Sequence, residues 1–290
     1  MNRRLDRYFY ILVVVGILIA ILIWNSVYRQ AGAQVADNQC RISFLNVGQA
    51  DAALISLPNS IQILIDGGRD VSAVSEIEKQ MPSFDRKIEY VVATHPDSDH
   101  IGGLPSVLES YEIGEFIQSE KKADSKVFAK LQELIVQKNI PIHIAQKDET
   151  INFSAGAFAK VLSPDEKQID SLSSNDSSIV LRFGCGSSYV ILTGDAQIEA
   201  QDRIANDNPS ENLSAQIFKI AHHGAQNSFS ENLINKVKPE FAVISVGKNS
   251  YGHPASFVLS ELQKLNIKFF RTDQNGTVNF VSNSLVWQKQ

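Results

Sequence analysis

Two patterns of hydrophobic residues divide the chain. Residues 8–27 form one apolar stretch without a charged side chain, whereas residues 40–290 alternate short apolar runs with polar turns. The short runs predict β-strands, and apolar residues spaced three and four apart predict amphipathic helices. The predicted strands are residues 41–46, 52–57, 61–66, 88–94, 158–162, 178–183, 189–193, 217–220, 241–246, 267–271 and 277–281. The predicted helices are residues 123–138, 196–204, 230–237 and 256–265.

Strands and helices are interspersed in both halves of the long segment, which is typical of an α/β or α+β fold. Such an order predicts two sheets that face each other and are covered by helices on their outer sides. We therefore expect an N-terminal segment of residues 1–30, a polar linker of residues 31–39, and a single domain of residues 40–290.

The apolar stretch of residues 8–27 is long enough for a transmembrane helix, since about 20 helical residues span the hydrocarbon core. Arg3, Arg4 and Arg7 precede it and only Arg29 follows closely. The positive-inside rule then predicts a single-pass membrane protein with a cytoplasmic N-terminus and an extracellular or periplasmic domain. A cleaved signal peptide is the alternative, because residues 31–33 read Ala-Gly-Ala. The polar residues between the apolar stretch and these alanines favour the uncleaved anchor.

The charge and the cysteines limit the classes of function. Of 27 basic and 32 acidic residues, four basic and one acidic residue lie in residues 1–30, so residues 31–290 carry a net charge of −8. A domain this acidic lacks the overall basic surface of an extended nucleic-acid binder. Cys40 and Cys185 are too few for a disulfide-dense scaffold or a zinc ribbon. They either pair with each other or are buried as small hydrophobic side chains, and the sequence leaves both open.

Potential metal ligands gather where predicted strands end. Residues 95–100 read His-Pro-Asp-Ser-Asp-His and follow the predicted strand 88–94 directly. Two imidazoles and two carboxylates in six residues are the nitrogen and oxygen ligands that a divalent cation takes. Asp195, the pair of histidines at 222 and 223, and His253 follow three later strands. His143, the sixth histidine, lies away from this pattern and is interpreted as structural.

These residues, in this order, resemble the metallo-β-lactamase-fold hydrolases, whose HxHxDH signature matches residues 95–100 with Asp97 in place of the second histidine. Residues 44–52, FLNVGQADA, resemble the DVGQGDA opening of the hydrolase domain in ComEC-type DNA-internalisation competence proteins, with departures at Asn46 and Ala50. The HPDxDHIGG, LTGD, HHG and SVGxNxYGHP segments and residues 271–273 continue the resemblance over residues 42–281. The resemblance implies a four-layer αββα sandwich that forms a stand-alone hydrolase domain behind one membrane helix.

The resemblance also implies a centre for two divalent metal ions, Zn²⁺ or Mn²⁺. Its implied metal ligands are His95, Asp97, Asp99, His100, Asp195 and one histidine of the 222–223 pair, which we assign as His222. The other residues with implied roles are His223, His253 and Asp99 in catalysis, Asn175, Ser178 and Tyr251 in substrate binding, and Asp66 in orienting a ligand. The first site has few nitrogen ligands, which favours an oxygen-preferring ion such as Mn²⁺ and disfavours β-lactamase activity.

The implied reaction is two-metal hydrolysis of a phosphodiester, with an external nuclease acting on DNA as its specific form. A phosphoesterase that acts on cell-wall or lipid head-group phosphates is the enzymatic alternative. A catalytically inactive, tethered binding module is the alternative of another class, and the full set of ligand types disfavours it. The lipid bilayer is the other expected partner, through residues 8–27, and no segment indicates an obligate protein partner.

Overall fold

The computed structural model describes residues 12–23 and 39–290, and the chain separates into two compact units after Asp37. In the first unit, residues 12–23 form helix α1, whose described side chains are all exposed. Within the two described ranges, no helix is both long and apolar enough to cross a membrane. The predicted span of residues 8–27 and the predicted linker of residues 31–39 extend beyond the described residues, so the anchor stays a prediction.

The second unit contains two β-sheets. Within residues 39–290, eight strands form the first sheet: β1 (Cys40–Phe44), β2 (Ala53–Leu57), β3 (Ile61–Ile65), β4 (Lys87–Ala93), β5 (Glu112–Gln118), β6 (Ile142–Ile144), β14 (Val278–Ser282) and β15 (Trp287–Lys289). Seven further strands of that range form the second: β7 (Thr150–Asn152), β8 (Ala157–Ser163), β9 (Val180–Cys185), β10 (Ser188–Leu192), β11 (Ile217–Lys219), β12 (Phe241–Ile244) and β13 (Lys268–Arg271). The spatial orders are β15-β14-β1-β2-β3-β4-β5-β6 and β13-β12-β11-β10-β9-β8-β7.

Helices cover the outer face of each sheet. The helices of this unit are α2 (Ser72–Gln80), α3 (Ser98–Ile101), α4 (Leu104–Ser110), α5 (Lys126–Gln137), α6 (Ile198–Asp207), α7 (Ser210–Leu213), α8 (Glu231–Val237), α9 (Ser256–Lys264) and α10 (Thr272–Asn275). Side chains of α2, α4 and α5 pack on the first sheet, and those of α6, α8 and α9 pack on the second. The predicted four-layer αββα architecture is confirmed.

Each sheet is covered on both faces, by the other sheet on one side and by helices on the other, and this explains why its strands are apolar throughout. Phe44 from β1 and Phe183 from β9 belong to the cluster that fills the space between the sheets. Along β3, Ile63 and Ile65 enter that cluster while Leu64 points to the helices on the other side. Side chains alternate between faces along a strand, so a strand covered on both faces is apolar throughout.

Parallel strands bring the polar loops to one edge of the sandwich. Strands β3 to β6 run parallel to one another, as do β10 to β13. Asp66 and His95 follow β3 and β4, and Asp195 and His222 follow β10 and β11. The carboxyl ends of parallel strands are where open α/β sheets bind ligands.

A disulfide joins Cys40 to Cys185 and thereby links β1 of the first sheet to β9 of the second. Strand β2 is antiparallel to both β1 and β3, so β1 points in the same direction as β3, and Cys40 lies at its amino end. In the second sheet, Cys185 pairs with Ser188, which lies at the amino end of β10. The bridge therefore lies at the edge opposite the loops described above. Of the two states that the sequence left open, the structure has the paired one.

Candidate metal centre

Asp66, which follows β3, fixes the start of the loop after β4 through hydrogen bonds to Thr94. The Asp66 carboxylate accepts hydrogen bonds from the Thr94 backbone N–H at 2.8 Å and from the Thr94 hydroxyl at 2.8 Å. A side chain at Gly102 would place its Cβ 2.1 Å from the Arg69 carbonyl oxygen, so only glycine lets the end of α3 approach the loop after β3 this closely. The close approach fixes α3, which carries Asp99 and His100.

His100 is fully buried and is oriented from both sides. Its Nδ1 donates to Asp66 Oδ2 at 2.7 Å, and its Nε2 lies 3.2 Å from Asp195 Oδ1. Burial opposes the charged imidazole, but the carboxylates of Asp195 and Asp66 outweigh it and hold the pKa of His100 well above its usual value. The same interaction holds the pKa of Asp195 well below its usual value despite burial. This edge of the site is therefore strongly attractive to positive charge.

His95 lies beside His100 with its ring nitrogens facing different groups. Its Nδ1 is 3.2 Å from the Thr94 hydroxyl and 3.3 Å from the Ser178 hydroxyl, and its Nε2 is 3.6 Å from Asp97 Oδ2. The contact with His95 and a hydrogen bond from Ser174 lower the pKa of Asp97 to about 2, although partial burial opposes the shift. Asp97 is therefore an anion at neutral pH, as a metal ligand has to be.

The two consecutive histidines occupy different places. His222 and His223 both adopt left-handed backbone conformations, with φ of 50° and 56°, which non-glycine residues hold only where the surrounding structure enforces it. His223 is buried, its Nδ1 donates to the Ser245 carbonyl at 2.9 Å, and its Nε2 lies 3.4 Å from Asp99 Oδ2. His222 is more exposed, and its Nε2 lies 3.8 Å from Asp195 Oδ2. The structure thus brings His223, rather than His222, next to Asp99.

The pKa values of the two histidines also differ. Burial opposes protonation of His223, but contacts with Asp51 and Asp99 raise its pKa to about 9. Burial lowers the pKa of His222, and the attraction of Asp195 does not compensate. His222 is accordingly neutral at neutral pH and has a ring nitrogen free to accept or donate, depending on its tautomer.

Donor atoms converge on two overlapping positions. One position is surrounded by His95, His100 and Asp195, and the other by Asp99, His100 and His223, with the ligand atoms of each group within 4.8 Å of one another. Within the described part of the chain, the Nε2 atoms of His95 and His100 are buried and make no well-aligned hydrogen bond, although carboxylate oxygens of Asp97 and Asp195 lie 3.6 Å and 3.2 Å away. Buried polar atoms are rarely left unpaired. A divalent cation bound by these two nitrogens would give each of them a partner.

Asp51 and Lys219 form a buried ion pair beneath the centre, and neither was among the predicted site residues. Their side chains are 3% and 6% exposed, and Asp51 Oδ1 also lies 3.5 Å from His223 Nδ1. Asp51, Asp66 and His100, all of them buried, form a third group whose ligand atoms are close enough to hold a cation. The signal in the sequence was a lysine within the apolar run Ile217–Ile220.

The remaining predicted residues border the centre. The ring of His253 lies 5.5 Å from that of His222, and the ring of Tyr251 lies 5.8 Å from that of His253. Asn175 Nδ2 is 3.4 Å from His222 Nδ1. Ser178 is buried, and its hydroxyl accepts from the Asp195 backbone N–H at 3.1 Å, so it faces two candidate ligands rather than the surface.

His143, predicted to lie outside the site, is on β6, where its Nε2 lies 2.5 Å from Glu149.

Comparisons with known proteins agree with this fold. Residues 45–248 match the metallo-β-lactamase superfamily model. The chain is 31% identical to ComE operon protein 3 of Bacillus subtilis (strain 168) and 28% identical to competence protein ComA of Neisseria gonorrhoeae, over 82% and 85% of its length. It spans about a third of each relative, 32% and 33%. The structure of Igni18, a metallo hydrolase from Ignicoccus hospitalis, is similar with a TM-score of 0.55 at 15% identity, covering 83% of this chain and 98% of that one.

The motif order, the convergent ligands and these similarities lead to one assignment: the chain belongs to the metallo-β-lactamase superfamily, has the fold of its metal-dependent hydrolases, and is homologous to ComEC-type competence proteins.

Proposed function

We propose that the protein is a metal-dependent phosphodiesterase that acts with two divalent cations. The observation that carries this proposal is the pair of overlapping ligand groups that share His100 and lie beside Asp195. A phosphodiester bond is the substrate that such a centre suits, because two cations balance the negative charge of a phosphoryl group in hydrolysis.

The ligands divide between two positions. The first cation would be held by His95, Asp97 and Asp195, and the second by Asp99, His100 and His223, with Asp195 near both. We assign His223 to the second position instead of His222, because its Nε2 faces Asp99 and its Nδ1 is held by the Ser245 carbonyl. Such a hydrogen bond on the far ring nitrogen is the usual way to orient a metal-binding histidine. Asp66 does the same for His100.

When bound, the cations supply Lewis acidity and a lowered pKa for water, which makes hydroxide available near neutral pH. The residues of the chain provide orientation and protons. His222 and His253 lie with their rings 5.5 Å apart on the more exposed side of the centre. His253 has a lowered pKa because of burial and the neighbouring histidines, and its Nδ1 is buried with no hydrogen-bond partner among the residues that the structure describes. We assign it to the oxygens of the substrate phosphoryl group.

DNA is the substrate that the relatives favour, since one of them is named a competence protein and another is recombination protein 2 of Haemophilus influenzae. The net charge of −8 on residues 31–290 disfavours a grip on long duplexes, because that affinity depends on neutralised phosphates. We therefore favour strand ends or short single strands over long duplexes. The same charge keeps a small phosphoester, such as a cell-wall or head-group phosphate, as the second candidate.

The location that we propose is the outer side of a cytoplasmic membrane. The uncharged stretch of residues 8–27 and the arginines that precede it support an anchor with the domain outside. The disulfide between Cys40 and Cys185 supports the same side, because disulfides persist in oxidising compartments.

Metal analysis and turnover test the function together. The full chain, purified in detergent, should contain up to two Mn²⁺ or Zn²⁺ ions and hydrolyse bis-p-nitrophenyl phosphate and short single-stranded DNA, but not nitrocefin. His223→Ala should lower the metal content and abolish turnover, whereas the control His143→Ala should change neither. A metal-loaded protein without activity on any phosphodiester would overturn the proposal.

A further inference from the structure

A cavity of about 600 Å³ lies beside the candidate metal centre. Gln49 and Arg69 line it on one side, and Lys248, Asn249 and Tyr251 line it on the other. We call it the side pocket. Its volume falls within the range of small-molecule sites, and of the residues that line it only Tyr251 has been given a role so far, in substrate binding.

The side pocket is connected to the metal centre by contacts at two points. The Arg69 guanidinium is 3.4 Å from Asp99 Oδ2, one of the candidate ligands. From the other side, the ring of Tyr251 lies 5.8 Å from that of His253, which in turn lies 5.5 Å from that of His222. A phosphate held at the metal centre would therefore lie next to this pocket.

The walls of the pocket are fixed in place. The Asn249 side chain accepts hydrogen bonds from the backbone N–H groups of Tyr251 and His253, at 3.1 Å each, and donates to the His253 carbonyl at 2.8 Å. Gly247 donates to Gln49 Oε1 at 3.1 Å, and a Cβ at Gly247 would lie 2.4 Å from the backbone of Gly48. The two loops that form the pocket are thus held against each other, and its shape is preformed.

The chemistry of the lining matches one nucleotide. Arg69 and Lys248 are both exposed cations, and Lys248 has no ion pair among the described residues. The Asp70 carboxylate also lines the pocket and accepts a hydrogen bond from the Ser72 backbone N–H at 2.9 Å, so the two cations leave the lining with a net positive charge. The Tyr251 side chain is 70% exposed beside them, with a ring face available for stacking. Cations that pair with phosphates and an aromatic ring that stacks on a base are the combination used by proteins that bind single strands.

Resting on the phosphodiesterase function proposed above, we propose that the side pocket binds the nucleotide next to the scissile phosphate, with its base on Tyr251 and its phosphate between Arg69 and Lys248. A site of this size holds one nucleotide rather than a long duplex, which agrees with the acidic surface of the domain. It makes the enzyme selective for single strands or strand ends over small phosphoesters.

Binding of an oligonucleotide tests the side pocket independently of catalysis. The probe is a fluorescein-labelled octathymidylate with phosphorothioate linkages, and its fluorescence anisotropy is measured with the full chain loaded with Mn²⁺. Tyr251→Ala should raise the Kd about ten- to a hundredfold, whereas Tyr251→Phe should retain most of the affinity because it keeps the ring. Lys248→Ala should raise the Kd and reduce the slope of log Kd against log salt by about 0.7 to 1.

Two matched variants act as controls. Phe84→Ala removes another exposed aromatic ring, 66% exposed, and Lys126→Ala removes another exposed charge, and both should bind like the wild type. Equal Kd values for Tyr251→Ala, Lys248→Ala and the wild type, or no binding by the wild type, would overturn the side pocket as a nucleotide site. Hydrolysis of bis-p-nitrophenyl phosphate is measured in parallel. If the protein binds the oligonucleotide through Tyr251 but hydrolyses no phosphodiester, the proposed function is wrong and the nucleotide site is retained.

Discussion

Removal of the disulfide should destabilise the domain strongly while leaving its chemistry intact. The change is the double substitution Cys40→Ala and Cys185→Ala. The bridge closes a loop with a sequence separation of 145 residues. In the chain-entropy model, a loop of that length restricts the unfolded chain by about 5 kcal/mol at 25 °C, with about 2–4 kcal/mol measured for typical bridges. We therefore expect the free energy of unfolding to fall by up to about 5 kcal/mol, and the Tm by about 10–20 °C.

Urea denaturation followed by circular dichroism measures this loss, and wild-type protein treated with a reducing agent should unfold like the double variant. Turnover per folded molecule should stay unchanged, because the bridge lies at the sheet edge opposite the metal centre. A loss below about 1 kcal/mol would refute the entropic argument. Two free thiols in the oxidised, unfolded wild type would refute the bridge itself.

Three other substitutions or treatments probe the site, its support and its topology. His253→Ala should keep the full metal content and lose about a hundredfold or more in kcat, the usual effect of removing an acid or oxyanion donor; loss of metal would make His253 a ligand instead. Lys219→Met should cost about 3–5 kcal/mol of stability because it removes the ammonium that pairs with the buried Asp51 carboxylate and leaves only neighbouring histidines to balance that charge, and the double variant with Asp51→Asn should recover part of this loss. Protease added to intact cells should digest residues 40–290, and a fully protected domain would contradict the external location.

The sequence was informative about the elements wherever an apolar run was strongly patterned. The predicted strand of residues 52–57 differs from β2 by one residue at its start, and that of residues 189–193 differs from β10 by one residue at each end. The helix predicted at residues 123–138 begins instead at Lys126, because the Ser125 side chain accepts a hydrogen bond from the Phe128 backbone N–H and caps it there. Strand β5 was missed because two glutamates and a glycine interrupt its apolar pattern, and β6, β7 and β15 were missed because three residues are too few to show a pattern.

The sequence by itself determined which polar residues follow which strands. That order was enough to predict the family, the layered fold and most of the candidate ligands. These depend on local order and on periodicity, which a single chain displays directly. Only the tertiary structure decided that His223 faces Asp99, that Lys219 pairs with Asp51, that Cys40 meets Cys185, and that Arg69 and Lys248 share a pocket. Each of these pairs joins distant segments, and the distance between such residues is set by how the two sheets pack rather than by their spacing along the chain.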